Sequence, residues 1–289
     1  MQKAEARIGV IGGSGLYQIE GMSNVRDVKL KTPFGDPSDA ITVGDLDGVR
    51  LAFLPRHGKG HRILPSEVPV QANIYALKSL GVERIIAVNA VGSLKEDFRP
   101  LDIVVPDQLI DRTRSRVNTF FGNGVVVHIA FADPFCPELS QVLFNASKEV
   151  APRVHRGCTY VVIEGPAFST RAESQIYRSW GADVIGMTQL PEAKLAREAE
   201  ICYASLSCVT DYDCWREDCE SVSVEMVVAN LQKNAENAKK IIRKAAKSIP
   251  SERGCSCARA LENAIITSPE AIPAQAKRDL GLLLGKYVH

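Results

Sequence analysis

Two aspartates stand two residues apart in the stretch VTDYDCW, residues 209–215, directly after the apolar run ICYASLSC. The small and β-branched residues of this run are typical of a buried strand. If the extended backbone continues through Asp211 and Asp213, both carboxylates point to the same side. Carboxylates rarely lie beside a core without a partner. The pair is therefore a candidate ligand-binding site, although two solvated turn residues remain the alternative.

A second candidate is the basic stretch RHGKGHR, residues 56–62, which follows a predicted strand. The guanidinium of Arg56 offers a planar fork of donors to phosphate oxygens, and His57 can donate a further hydrogen bond. Earlier in the chain, GGSG follows the first predicted strand, where glycines let backbone amides approach an anion and Ser14 adds a hydroxyl. A solvated basic loop and a tight turn are the structural alternatives.

Two further segments, NAVGSL at 89–94 and GMT at 186–188, are predicted to lie just past strands. They supply backbone amides near Ala90 and the polar side chains of Asn89 and Thr188. Each segment alone is an ordinary turn. Open α/β sheets bind ligands at the carboxyl ends of their strands, so four strand ends carrying anion donors predict one anion site.

The segment IEGPAFSTRAES, residues 163–174, places Phe168 on a turn before a helix that Ser169 or Thr170 caps. An aromatic ring on such a turn can also stack on a flat ligand. The sequence contains no nucleophile elbow, Cys-x-x-Cys pair or His-Glu-x-x-His helix. We therefore expect no metal.

Apolar β-branched runs alternate with helical patterns, which predicts an α/β protein with a largely parallel or mixed sheet flanked by helices. The predicted strands include 7–13, a hairpin over 41–58 that turns at DLDG, and 84–93. The predicted helices cover 68–81, 137–150, 171–180, 191–199 and 222–249. Residues 1–250 are predicted to form one domain, with 251–289 as a tail that packs on it or on a neighbouring subunit. The irregular stretch 112–135 suggests a lid or an interface loop.

The 35 basic and 34 acidic residues nearly balance, which argues against nucleic acid or a membrane surface as a partner. The N-terminal apolar run is too short for a secretion signal, so we expect a cytoplasmic protein. Eight cysteines are many for that compartment. They are either mostly reduced core residues or the disulfides of a thermophilic protein, and Cys255 and Cys257 could form a strained disulfide or stay free thiols.

Eight segments, in their order along the chain, resemble the trimeric branch of the purine nucleoside phosphorylase family. They are IGVIGGSGLY, PRHGKGH, PSEVPVQANIYALKSLG, AVGSL, DPFCP, IEGPAFSTRAES, GADVIGMTQLPEAKLAREAEICYA and TDYDCW. The resemblance covers roughly residues 7–248 and leaves the tail unassigned. It implies the nucleoside phosphorylase fold and a homotrimer or a dimer of trimers.

The resemblance also implies a reaction without a metal or organic cofactor. Inorganic phosphate attacks the anomeric carbon of 5'-methylthioadenosine and gives adenine and 5-methylthioribose 1-phosphate. By position, the phosphate-binding residues are Ser14, Arg56, His57, Asn89, Ala90 and Thr188. The residues expected on the nucleoside are Phe168, Met187, Asp211, Asp213 and, from a neighbouring subunit, His128. Asp211 is the candidate acid for the departing purine, with Asp213 beside it.

Two alternatives stay open. Within the same class, a broader purine nucleoside or 5'-methylthioinosine phosphorylase would carry the same anion site, although carboxylates opposite a 6-amino group favour adenine over 6-oxopurines. Outside it, a non-catalytic nucleotide-binding module would explain the glycine loops but not the carboxylate pair.

Overall fold

The computed structural model describes residues 4–13, 15–16, 20–216 and 224–288, with side chains from residue 230 onward in the last range. In this part of the chain, eleven strands form one mixed sheet. The strands are β1 (Ile8–Gly12), β2 (Met22–Val28), β3 (Ile41–Leu46), β4 (Val49–Pro55), β5 (Arg84–Ser93), β6 (Ile103–Val105), β7 (Gln108–Arg112), β8 (Val154–Arg156), β9 (Thr159–Ile163), β10 (Val184–Gly186) and β11 (Cys202–Asp211).

Helices flank this sheet, so the predicted α/β fold class is confirmed. They are α1 (Val70–Ser79), α2 (Pro137–Lys148), α3 (Arg171–Ser179), α4 (Glu192–Glu198), α5 (Val224–Ser248), α6 (Ala274–Asp279) and α7 (Gly281–Leu284), with 3-10 turns at Ser256–Arg259 and Pro269–Ala271. Among the described residues no helix is both long and apolar enough to cross a bilayer.

The long strand β5 organises the sheet because it pairs with three others. It runs parallel to β1 and to β11, and its last residues pair with β10 in the antiparallel sense. On the other side of β1, β4 is also parallel. The carboxyl ends of β1, β4 and β11 therefore lie along one edge of the sheet, where side chains that follow these strands meet.

Local sequence explains most of these elements. The β3–β4 hairpin turns at Asp47 and Gly48, both with positive φ, as an Asp-Gly turn of two residues requires. On α5, the residues Ala238, Ile241, Ile242 and Ala245 are fully buried, which confirms the predicted amphipathic face. The prediction missed β2, β7 and β8, which are short or mostly exposed strands without a continuous apolar run.

The segment 112–135 lies against its own chain. Phe120, Phe121 and Val125 are buried in the main core, and the carboxylate of Glu198 accepts hydrogen bonds from the Thr119 hydroxyl and the Phe120 amide. Val127 bridges to Ile265 of the tail. These contacts tie the irregular segment to α4 and to the C-terminal residues.

The C-terminal tail also packs on the domain. Leu261, Leu280 and Leu284 belong to the same buried cluster as residues of β1, β5 and α1. The Glu200 carboxylate accepts hydrogen bonds from the Leu261 amide and the Tyr287 hydroxyl. The last residues thus extend the core of the preceding α/β domain.

The described cysteines are all free thiols: Cys136, Cys158, Cys202, Cys208, Cys214, Cys255 and Cys257. The eighth, Cys219, lies outside the described residues. The disulfides considered from the sequence, including one between Cys255 and Cys257, are thus not formed in this part of the structure.

Candidate active site

Nine of the predicted site residues line one cavity of ≈ 380 Å³, a volume typical of small-molecule sites. They are Arg56, His57, Asn89, Ala90, Phe168, Met187, Thr188, Asp211 and Asp213. Ser14 lies outside the described residues, but its neighbour Gly13 lines the same cavity. The side chain of His128 is exposed and does not line the cavity of its own chain.

Arg56 is held by a buried ion pair that the sequence analysis missed. Its Nε and Nη2 donate to the carboxylate of Glu192 at 2.5 and 3.0 Å, and Nη1 donates to the Val88 carbonyl at 2.9 Å. Both side chains are almost fully buried. These bonds use three of the five guanidinium donors, so two remain for a ligand anion within the described part of the site. The pair fixes the plane of the guanidinium.

His57 follows Arg56 and is kept neutral. Burial, together with the positive charge of Arg56, lowers the pKa of His57 to about 4. Its Nδ1 lies 2.8 Å from the Ile63 carbonyl and must donate to it, because a carbonyl only accepts. The neutral ring therefore keeps a lone pair at Nε2, which can accept a hydrogen bond from a protonated phosphate oxygen.

Asn89 lies inside β5 rather than just past it, because pairing with β11 and β10 extends the strand to Ser93. Its Nδ2 donates to the Ala87 carbonyl and the Ser205 hydroxyl, and its Oδ1 accepts from the Thr188 hydroxyl at 2.6 Å. Both amide hydrogens are used within the protein. Asn89 thus orients Thr188, and its own side chain offers an anion no further donor.

The two aspartates meet in a different way from the one the sequence predicted. The strand β11 ends at Asp211, and Asp213 adopts a left-handed backbone with φ of 47°. An extended register for both residues was therefore wrong. The reason is a turn in which the Asp213 amide folds back and donates to Asp211 Oδ1 at 2.8 Å. This turn, rather than strand alternation, brings both carboxyls to the cavity.

Burial raises the pKa of both carboxyls. For Asp211, hydrogen bonds from the Thr210 hydroxyl and the Asp213 amide partly offset the effect of burial. For Asp213, the negative charge of Asp211 adds to it. Since one charged carboxylate disfavours ionisation of its neighbour, the pair retains a proton more readily than two exposed aspartates.

The turns after β9 and β10 form the part of the cavity wall that carries Phe168 and Met187. Phe168 is 53% exposed at the cavity mouth, and Met187 packs its Sδ against Gly165, whose φ is 70°. The Thr170 hydroxyl caps α3 in a capping box with Glu173, which settles the choice between Ser169 and Thr170. The cap fixes where the turn carrying Phe168 ends.

Arg116, from the segment 112–135, connects these turns. Its Nη1 donates to the carbonyls of Met187 and Leu190 at 2.6 and 2.7 Å, and its Nη2 donates to the Glu164 carbonyl at 2.6 Å. The side chain is 4% exposed and also pairs with the Glu164 carboxylate. Nothing in the local pattern distinguished this arginine from its neighbours Arg112 and Arg114, because its partners are distant in sequence.

Two asparagines one turn apart on α5 hold the end of β11. Asn230 donates to the Thr210 carbonyl at 2.7 Å, and Asn234 donates to the Val209 carbonyl at 2.9 Å. Asn234 also lines the cavity, and its buried Oδ1 has no partner within the described chain. Polar residues four apart on one helix face were the signal that the sequence analysis left unused.

A buried guanidinium, a neutral histidine and a buried aspartate pair thus share one cavity at a sheet edge, a set that suits an enzyme acting on an anion and a second polar substrate. The chain belongs to the phosphorylase superfamily, whose family model matches residues 7–247. The curated relatives include the S-methyl-5'-thioadenosine phosphorylases of Geobacter sulfurreducens and Thermosynechococcus vestitus. The first is 59% identical over 98% of this chain and 100% of its own length, and the second is 58% identical over 98% and 99%.

Solved structures agree with this assignment. A methylthioadenosine phosphorylase from an Antarctic soil metagenomic library superposes with a TM-score of 0.93 at 53% identity, covering 98% of this chain and 100% of that one. An adenosine/methylthioadenosine phosphorylase variant from Schistosoma mansoni, solved with methylthioadenosine, gives 0.81 at 39% identity and covers 89% and 96%.

Proposed function

We propose that this protein catalyses the reversible phosphorolysis of 5'-methylthioadenosine to adenine and 5-methylthioribose 1-phosphate. The observation that carries the proposal is the shared cavity, which holds an anion-binding arginine and a buried aspartate pair. A phosphate and a purine need these two kinds of group. The identity to phosphorylases named for this substrate supports the choice of nucleoside.

The phosphate binds beside Arg56, His57 and Thr188. The free donors of Arg56 bond to phosphate oxygens, and His57 Nε2 accepts from the phosphate hydroxyl, as its neutral state requires. The backbone near Ala90 and the hydroxyl of Ser14 complete this set. A phosphate dianion below the ribose stabilises the positive charge that develops on the sugar as the glycosidic bond breaks.

The departing adenine takes a proton from the aspartate pair. The cleaved purine leaves with negative charge, and protonation of its imidazole nitrogen neutralises that charge. Asp211 is the proposed acid, since burial raises the pKa of its carboxyl and two hydrogen bonds fix its position, and Asp213 accepts from the exocyclic amine. Phe168 stacks on the base and Met187 lies under the ribose.

A neighbouring subunit completes the site in this proposal, with His128 closing the pocket for the methylthio group. The exposure of His128 on its own chain supports this role, and a homotrimer or a dimer of trimers is the expected assembly. Mixing inactive His128→Ala and Asp211→Asn proteins under subunit exchange should restore activity in hybrid sites. No recovery, with exchange verified by mass, would contradict a shared site.

The test of the reaction is a substrate panel in phosphate buffer and in phosphate-free buffer. Methylthioadenosine, adenosine, inosine and methylthioinosine are compared by release of the free base. We expect adenine release from methylthioadenosine that depends on phosphate and needs no added metal or organic cofactor. A binding module would release no base, and equal rates on inosine would favour a broad purine nucleoside phosphorylase. Similarity to an enzyme named for adenosine as well makes adenosine the expected second substrate.

A further inference from the structure

A cluster of four cysteines lies outside the active site. Cys136 directly precedes α2, Cys202 is the first residue of β11, and Cys255 and Cys257 flank Ser256 at the start of the tail. The four Sγ atoms all lie within 4.8 Å of one another. Three of these residues are buried and Cys255 is half-buried. The chain thus brings together thiols that are far apart in sequence.

The spacing of the sulfurs fits a bound metal ion. The Sγ atoms of Cys202 and Cys255 are 3.4 Å apart, which is far beyond a disulfide bond of about 2.05 Å. Zinc binds thiolates at about 2.3 Å, so the sulfurs of a tetrahedral site are about 3.8 Å apart. The four sulfurs, all within 4.8 Å of one another, are close to that spacing.

A cationic side chain lies beside two of the four thiols, which suits the thiolate form that binds metal. Arg84, whose side chain is 5% exposed, lines a small pocket together with Cys136, Cys202 and Glu138. The arginine offsets part of the negative charge that four thiolates leave on a divalent ion.

We propose that Cys136, Cys202, Cys255 and Cys257 form a structural Zn²⁺ site with four thiolate ligands. A closed tetrahedral thiolate set with no open position is typical of structural rather than catalytic zinc. Such an ion would fasten the start of the tail to α2 and β11. No short zinc-binding motif reveals this cluster in the sequence, because only one pair of its members, Cys255 and Cys257, is close along the chain.

The test is metal analysis of the full-length protein, purified with a phosphine reductant from zinc-supplemented cells. We expect about one zinc per chain by plasma mass spectrometry, lost in Cys202→Ser and in Cys257→Ser. The matched control is Cys158→Ser, which removes a buried thiol outside the cluster and should keep the zinc. Replacement of zinc by Co²⁺ should give thiolate charge-transfer absorption with tetrahedral ligand-field bands.

A second readout does not depend on the variants folding. Removing zinc from the unmodified protein with a chelator should lower its Tm by several degrees, and adding zinc back should restore it. The proposal is overturned if the reduced protein, incubated with zinc, binds none, or if Cys202→Ser and Cys257→Ser keep as much zinc as Cys158→Ser. It is also overturned if intact mass shows disulfides among these cysteines in freshly purified protein. The active site contains none of the four, so loss of activity is not used as a criterion.

Discussion

Asp211 and Asp213 differ in how each carboxyl is held. Both oxygens of Asp211 accept hydrogen bonds, from the Thr210 hydroxyl and the Asp213 amide, whereas the Ser174 hydroxyl and the Cys214 thiol lie near the carboxyl of Asp213. Gly92 makes room for the two carboxyls, since a Cβ there would lie 2.9 Å from Asp211 Oδ1.

Asp211→Asn is expected to change base preference. An amide cannot supply a proton as a carboxyl does, so kcat/KM for methylthioadenosine should fall about 10²–10⁴-fold. Because the imidazole nitrogen and the 6-substituent lie on the same edge of the purine, an amide at position 211 can also donate to a 6-oxo group, so activity on inosine should rise relative to adenosine. The matched control is Asp97→Asn, an exposed aspartate outside the cavity. Steady-state kinetics with an unchanged substrate ratio would exclude this role for Asp211.

The buried ion pair between Arg56 and Glu192 can be tested by substituting Glu192. Glu192→Ala leaves a buried guanidinium without its counter-charge and should reduce the free energy of unfolding by about 3–5 kcal/mol. Glu192→Gln preserves the shape and should cost less, yet raise the KM for phosphate because Arg56 loses its fixed plane. Denaturant titration and phosphate kinetics measure both effects, with exposed Glu96→Gln as the control. An unchanged KM for phosphate in Glu192→Gln would show that this ion pair does not contribute to phosphate binding.

Among the secondary-structure elements, the direction of β10 determines how Thr188 approaches Asn89. Because β10 runs antiparallel to the end of β5, the residues after Gly186 return toward Asn89, and Thr188 reaches its side chain. This approach needs glycine at 186, since a Cβ there would lie 2.0 Å from the Tyr160 hydroxyl. Thr188 is therefore positioned in the cavity by a strand pairing rather than by its own loop.

The role of Arg116 in holding the turns after β9 and β10 can be tested by substituting lysine. Lysine keeps the charge but cannot reach several carbonyls with a planar fork, so Arg116→Lys should loosen the turns that carry Met187 and Phe168. The KM for methylthioadenosine should rise about tenfold, with a smaller change in kcat. Arg114→Lys is the matched control on the same segment, since its described hydrogen bond is made by the backbone. Equal KM values in the two variants would show that Arg116 does not position the site.

At the scale of the whole molecule, one buried acid links the segment 112–135 to the domain. Glu198 accepts from the Thr119 hydroxyl and the Phe120 amide, each at 2.7 Å, yet burial raises its pKa to about 7. In the unfolded chain the same group titrates near 4.5. Between pH 4.5 and 7 the Glu198 carboxyl is protonated in the folded state but ionised in the unfolded chain. The stabilisation from this proton is therefore fully present below about pH 4.5 and is lost as the pH rises to about 7.

Glu198→Gln should remove this pH dependence. The Gln carbonyl can accept from the Phe120 amide while its amide donates to the Thr119 oxygen, so the contacts persist without a titrating charge. Relative to the variant, the unmodified protein should lose up to about 3 kcal/mol of unfolding free energy between pH 4.5 and 8. Urea titrations across that range measure the difference between the two proteins. A difference in unfolding free energy that stays constant across this pH range would show that Glu198 does not titrate within it.

From the sequence alone one can predict the α/β class, the main helices and strands, and nine of the residues that line the cavity. They can be predicted because apolar periodicity and strand-end polar residues are local signals, and parallel strands place their ends at one edge of the sheet. Tertiary structure alone decided that Glu192 holds Arg56, that Arg116 joins two turns, and that Asp213 reaches Asp211 through a turn. It also gathered four cysteines from three parts of the chain. These contacts join residues far apart in sequence or depend on one backbone turn, so no local pattern encodes them.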